Sequence, residues 1–107
     1  MKHMRILWVD DEIELLKPFI LFLEEKDYEV TTCNNGNDAI ELVVDNKYDL
    51  VILDEMMPGL DGLTTLTEIK RINSSLPIIM VTKNEEEGLM DKAIASQISD
   101  YLIKPIN

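Results

Sequence analysis

Three aspartates, a threonine and a lysine stand directly after short apolar runs of this chain. Asp10 and Asp11 follow residues 6–9, Asp54 with Glu55 follows 50–53, Thr82 follows 78–81, and Lys104 follows 101–103. Paired carboxylate oxygens are hard ligands suited to Mg²⁺. A further carboxylate can attack phosphorus as a nucleophile, while an ammonium and a hydroxyl neutralise and hydrogen-bond the transferred group. The set therefore matches phosphoryl transfer to an aspartate. His3 is the only histidine, which excludes a histidine triad or a phosphorelay within the chain.

Each residue also has an ordinary structural use. Asp11 with Glu14, and Thr82 with Glu85, have the spacing of helix-capping boxes. Lys104 alone reads as a solvated lysine. Asp54 is harder to assign that way, because a carboxylate projecting from mid-sheet among other acids needs a cation, a proton or a metal.

The runs at 6–9, 50–53, 78–81 and 101–103 are short, continuous and rich in Ile, Leu and Val, as strands buried on both faces must be. Residues 28–33 alternate instead and predict a half-exposed strand near the sheet edge. Between the strands, Ile13, Leu16, Ile20 and Leu23 set a helical stripe, widened by Leu15, Phe19 and Phe22, with Pro18 marking a bend or a first-turn proline. Ala39, Ile40, Val43 and Val44 predict a second helix after Asn35-Gly36. Leu63, Leu66, Ile69 and Ile72 predict a third, and Leu89, Met90, Ala93 and Ile94 a fourth. The order βαβαβαβαβ with right-handed crossovers predicts a doubly wound α/β fold, a five-stranded parallel sheet with helices on both faces. Ligands of such sheets bind beyond the carboxyl ends of the strands, where all the residues named above converge. A fifth helix to cover the last strand is missing from this chain, so residues 1–107 are expected to be the N-terminal part of a longer protein.

The size and charge of the chain narrow the function further. A chain of 107 residues forms one domain, and 46% hydrophobic with 29% charged residues is globular composition. Ten basic against 21 acidic residues give a net charge of −11, which disfavours binding to nucleic acid or to anionic membranes. Cys33 is the single cysteine, and no apolar run reaches spanning length, so a cytoplasmic location is expected.

Taken as a set, these residues resemble the receiver domain of two-component response regulators. The resemblance rests on Asp10-Asp11, on residues 54–62 (Asp-Glu-Met-Met-Pro-Gly-Leu-Asp-Gly), on Thr82, and on Tyr101 to Pro105, and it spans essentially the whole chain. It implies a flavodoxin-like sheet of strand order 2-1-3-4-5. It also implies that Asp54 accepts phosphate from a sensor histidine kinase. Mg²⁺ would be held by Asp11 directly, by Asp10 through water, by Asp54 and by the Met56 carbonyl. Lys104, before a cis Pro105, would pair with a phosphoryl oxygen, and Thr82 and Tyr101 would switch the surface that controls an effector domain. The resemblance allows a phosphorylation-dependent homodimer and implies a phosphoacceptor rather than a turnover enzyme. More narrowly, residues 5–11 and 82–87 resemble the receiver of PorX-type regulators, linked to type IX secretion in Bacteroidetes and carrying an alkaline-phosphatase-like effector.

Two positions depart from the family pattern. Lys83 stands where receivers have a small residue, either covering the site against water or lying solvated, and Met56 cannot orient a hydrolytic water by its side chain. Both lead to the expectation of a persistent phosphorylated state. A haloacid-dehalogenase-like phosphatase would need its early aspartates one residue apart, whereas Asp10 and Asp11 are adjacent. A phosphate-independent interaction module remains the alternative.

Overall fold

The structure is a computed structural model that describes residues 4–55, 57–82, 98 and 100–103, with Thr82 and 100–103 described by backbone alone. The four apolar runs and the alternating segment form the strands β1 (Arg5–Val9), β2 (Glu29–Cys33), β3 (Leu50–Asp54), β4 (Ile78–Thr82) and β5 (Asp100–Ile103). All pair in parallel, in the order β2-β1-β3-β4-β5. The helices are α1 (Lys17–Glu25), α2 (Gly36–Asp45) and α3 (Gly62–Ile72). The fourth helix expected around Leu89 to Ile94 lies outside the described residues.

Direction of travel decides which face each helix covers. The chain steps from β1 outward to β2, then back past β1 to β3 and on to β4, so right-handed crossovers put α1 on one face and α2 and α3 on the other. The buried side chains divide accordingly. Leu7, Val9, Val51, Leu53, Ile78 and Met80 pack with Ala39 and Val43 of α2 and Leu66 and Ile69 of α3. Ile6, Trp8, Ile52 and Val81 pack with Leu16, Phe19, Ile20 and Leu23. Successive residues of a strand thus serve opposite layers, which is why these strands read as unbroken apolar runs. β2 is an edge strand, and its residues are half-buried or exposed, as the alternating pattern predicts.

The first helical segment differs from its expected form. Residues Ile13–Leu16 make a 3₁₀ turn, and α1 begins only at Lys17, with Pro18 in its first turn where the missing N–H costs nothing. The expected stripe nevertheless runs through both pieces: Ile13, Leu16, Ile20 and Leu23 all pack in the same layer, with Phe19 beside them. Leu15 and Phe22, expected on the apolar face, are 70% and 58% exposed, whereas Leu16 is buried. Val44 and Ile72, expected to extend the stripes of α2 and α3, also face outward. Both helices start at a real cap: the Asn35 side chain accepts from Asp38 N, and that of Asp61 accepts from Thr64 N, each at 2.8 Å.

The adjacent leucines give a sharp test. Leu16→Ala should lower unfolding free energy by about 2–5 kcal/mol, because it leaves a cavity under Trp8 and Ile52. Leu15→Ala should change it by no more than about 0.5 kcal/mol. Urea unfolding of the two variants distinguishes this structure from a continuous helix over the same residues.

Candidate functional site

The register of the sheet brings the acids together. Val9 pairs with Leu53, so Asp10 and Asp54, one residue further on, end neighbouring strands. Chain direction diverges between these two strands, β1 leading into α1 over one face and β3 into α3 over the other, and that divergence opens a crevice at the strand ends. Both carboxylates are enclosed, Asp10 at 0% and Asp54 at 1% exposure.

Asp10 is fixed from two sides. Its backbone N–H donates to the Cys33 carbonyl at 3.1 Å, and its Oδ1 accepts from the Glu12 N–H at 2.8 Å. The second bond folds residues 10–12 back into a tight turn, in which carboxylate oxygens of Asp10, Asp11 and Glu12 all lie within 4.8 Å of one another. The capping reading of Asp11 does not hold: the 3₁₀ turn has Glu12 at its N-cap and no side-chain cap bond. Asp11 is exposed and presents its carboxylate to solvent beside two others. Three hard oxygen donors in this arrangement suit a divalent cation that retains part of its water, and they fit Mg²⁺ by donor chemistry. The group includes Glu12, which the sequence reading passed over although it is the third acid in succession, and it does not include Asp54.

Asp54 is the last residue of β3, and its main chain is held on both sides. It pairs with Val81, the Glu55 N–H donates to the Val81 carbonyl at 2.8 Å, and the Glu55 carbonyl accepts from Gly62 N at 3.0 Å. Glu55 is itself buried, and its Oε2 has no hydrogen-bond partner among the described residues. Gly62 meets this segment so closely that a Cβ on it would overlap the Asp54 carbonyl oxygen and lie 2.6 Å from Glu55 Cα. Only glycine fits there.

The remaining expected residues follow from strand pairing or fall outside the described set. Thr82 ends β4 one residue beyond the Asp54–Val81 pair, and Tyr101 pairs with Met80 two residues before Thr82. Thr82 in turn pairs with Ile103, the residue before Lys104. Met56, Lys83, Lys104 and Pro105 lie outside the described residues.

Cys33 borders the site through its carbonyl. Its Sγ donates to the Asn35 carbonyl at 3.7 Å, and burial, with the Asp38 charge adding to it, pushes the thiol up to about 11 from 9.0. The folded state therefore holds this proton more tightly than the unfolded chain, so the associated stability is present below pH 9 and is lost as pH rises towards 11. We expect the urea midpoint to fall over that interval in wild type and to fall less in Cys33→Ser. The native thiol should also react more slowly with a thiol reagent than the unfolded chain does.

Comparison with known proteins agrees with this architecture. Residues 6–107 match the model of the response regulator receiver domain. The transcriptional regulatory protein ResD of Bacillus subtilis is 35% identical over 103 residues, 96% of this chain and 42% of ResD. SrrA of Staphylococcus aureus, also a transcriptional regulatory protein, is 34% identical over 102 residues, 95% of this chain and 42% of SrrA. This chain thus spans less than half the length of those relatives. Among solved structures, the response regulator TrrA of Thermotoga maritima, in complex with Mg²⁺-BeF, superposes with a TM-score of 0.85 at 34% identity, covering 97% of this chain and 89% of TrrA. A two-component response regulator from Clostridium difficile superposes with a TM-score of 0.87 at 32% identity, covering 98% and 86%. The sheet order, the acids at its switch point and these likenesses agree, and the chain belongs to the response regulator receiver domain family.

Proposed function

We propose that this chain is the phospho-accepting receiver of a two-component system and that Asp54 is the acceptor. The observation that carries the reading is the pair of enclosed aspartates, Asp10 and Asp54, ending adjacent strands beside the exposed Asp11. An Asp54 carboxylate oxygen forms a bond to phosphorus as the N–P bond of a kinase phosphohistidine breaks, and the departing imidazole takes up a proton. Asp10, Asp11, Asp54 and the Met56 carbonyl would hold Mg²⁺, with Glu12 close enough to contribute through water. When bound, the ion offsets negative charge on the phosphoryl oxygens. Lys104 pairs with one of those oxygens, Thr82 donates its hydroxyl to another, and Tyr101 turns inward as Thr82 moves. The chain works as a switch, not as a turnover enzyme, and its signal passes to an effector in the same parent protein.

Two features bear on that effector. The names of ResD and SrrA support a transcriptional output in a parent regulator of which residues 1–107 are the N-terminal part. The narrower likeness of residues 5–11 and 82–87 to PorX-type receivers supports instead an alkaline-phosphatase-like effector linked to type IX secretion. Promoter binding and phosphatase turnover by the parent protein separate the two. No helix among the described residues is long and apolar enough to cross a membrane. Membership of the receiver family supports a cytoplasmic regulator that meets a sensor histidine kinase there, and the proposed regulator forms a homodimer on phosphorylation.

Incubation with acetyl phosphate or a phosphorylated kinase, in the presence of Mg²⁺, should add one phosphoryl group to wild type and none to Asp54→Ala. Beryllofluoride should change the fluorescence of Trp8, the only tryptophan, two residues before Asp10. No adduct with either donor and no fluorescence response would point to a phosphate-independent module. The adduct should be long-lived, and Lys83→Ala should shorten its half-life several-fold if Lys83 shields the acyl phosphate. An unchanged half-life assigns Lys83 to solvent.

A further inference from the structure

Two glycines connect the strand ends to the helices packed against one sheet face. Gly62, first residue of α3, abuts the Asp54 and Glu55 main chain, as described above. Gly36, first residue of α2, stands in the same relation to α3. A Cβ on Gly36 would overlap the Thr65 hydroxyl oxygen and lie 3.2 Å from the Leu60 carbonyl oxygen. Thr65 cannot yield easily: it is fully buried, and its hydroxyl donates to the Asp61 carbonyl at 2.7 Å, immediately before Gly62. The chain that enters α2 leaves the sheet at Cys33, whose carbonyl accepts from Asp10 N. The contacts therefore close a circuit from the Asp10 backbone through the start of α2, across Thr65 to the start of α3, and through Gly62 to the Asp54 backbone.

Close-packed elements transmit displacement rather than absorb it. We propose that Gly36 is a positioning residue for the acceptor site: its bare α-carbon sets the separation of α2 and α3, and α3, through Gly62, sets the Asp54 main chain relative to Asp10. Gly36 acts on the site through its contacts with Thr65 and Leu60 and, beyond them, through Gly62. This inference rests on the receiver reading given above.

The test is the Mg²⁺-dependent affinity for beryllofluoride, read by Trp8 fluorescence on the 107-residue chain, with urea unfolding measured in parallel. Gly36→Ala should weaken that affinity on the order of tenfold. Gly36→Ala combined with Thr65→Ala, which removes the overlapping hydroxyl, should recover most of it. Leu76→Ala, a buried change before β4 at the opposite end of the strands, should lower stability while leaving the affinity unchanged. If Gly36→Ala binds as wild type does, if Leu76→Ala weakens binding equally, or if the double variant does not recover, the positioning role is wrong. A wild-type chain that ignores Mg²⁺ and beryllofluoride overturns the receiver reading and this inference with it, whereas a responsive wild type with an equally responsive Gly36→Ala overturns the inference alone.

Discussion

Two carboxylates enclosed on neighbouring strands are the constraint on which the rest of this structure depends. Like charges in a low-dielectric setting repel strongly, and neither Asp10 nor Asp54 is open to bulk water. Each is held in place: Asp10 by its backbone N–H, which donates to the Cys33 carbonyl, and by its Oδ1, which accepts from Glu12 N–H; Asp54 by its strand neighbours and the adjoining Glu55–Gly62 bond. The adjacency itself comes from topology. Because β2 lies outside β1, the chain must return past β1 to form β3, and β1 and β3 become neighbours whose outgoing connections lead away from each other, β1 towards β2 and β3 towards β4.

The same topology explains how the packing is shared. The α2–α3 layer contains the larger cluster of buried residues and is coupled to the site by the contacts of Gly62 and Gly36. The α1 layer places Trp8, Ile52 and Val81 against Leu16 and the inward residues of α1, and Trp8 and Ile52 each stand two residues before an aspartate of the site. Strand alternation therefore sets the acids above the α1 layer while their backbones are braced from the other side. A site built this way is rigid along the strands and adjustable through the helix N-termini.

How much of this was legible in the sequence depends on which physical signal each feature leaves. The strands were readable because burial on both faces demands continuous apolar runs, and β2 because an edge strand alternates. Asp54 stood out since an acid directly after residues 50–53 has no ordinary use there. Leu15 and Phe22 were misplaced because the layer against β1 and β3 takes only the stripe of Ile13, Leu16, Phe19, Ile20 and Leu23, and the residues flanking it face water. Val44 and Ile72 fit the expected spacing yet lie at the exposed margins of their helices, a distinction that depends on the width of the neighbouring layer. Glu12 was passed over because its nearness to Asp10 and Asp11 comes from a turn closed by a side-chain to backbone bond, not from a strand or helix period. The closeness of Gly36 to Thr65 joins residues far apart in sequence, and composition carries no trace of it.

On the proposed receiver reading, the charge balance favours one order of events at the site. Asp10, Asp11 and Glu12 crowd within 4.8 Å, Asp54 ends the next strand, and the chain as a whole carries −11. An anionic phosphoryl donor approaching this crevice meets charge of its own sign at short range and at long range. If Asp54 is the acceptor, as proposed above, a cation held by these acids would ease the donor's approach, and cation binding is expected to precede phosphoryl entry. The local arrangement favours that sequence. Asp11 is exposed and can meet a hydrated ion first, whereas Asp10 and Asp54 are enclosed and already aligned. On the proposed reading, enclosure would keep Asp54 and its neighbour Asp10 from reorganising at the moment of transfer, and the exposure of Asp11, one position after Asp10, would give an ion a way in, because the turn after β1 faces water while the strand beneath it does not.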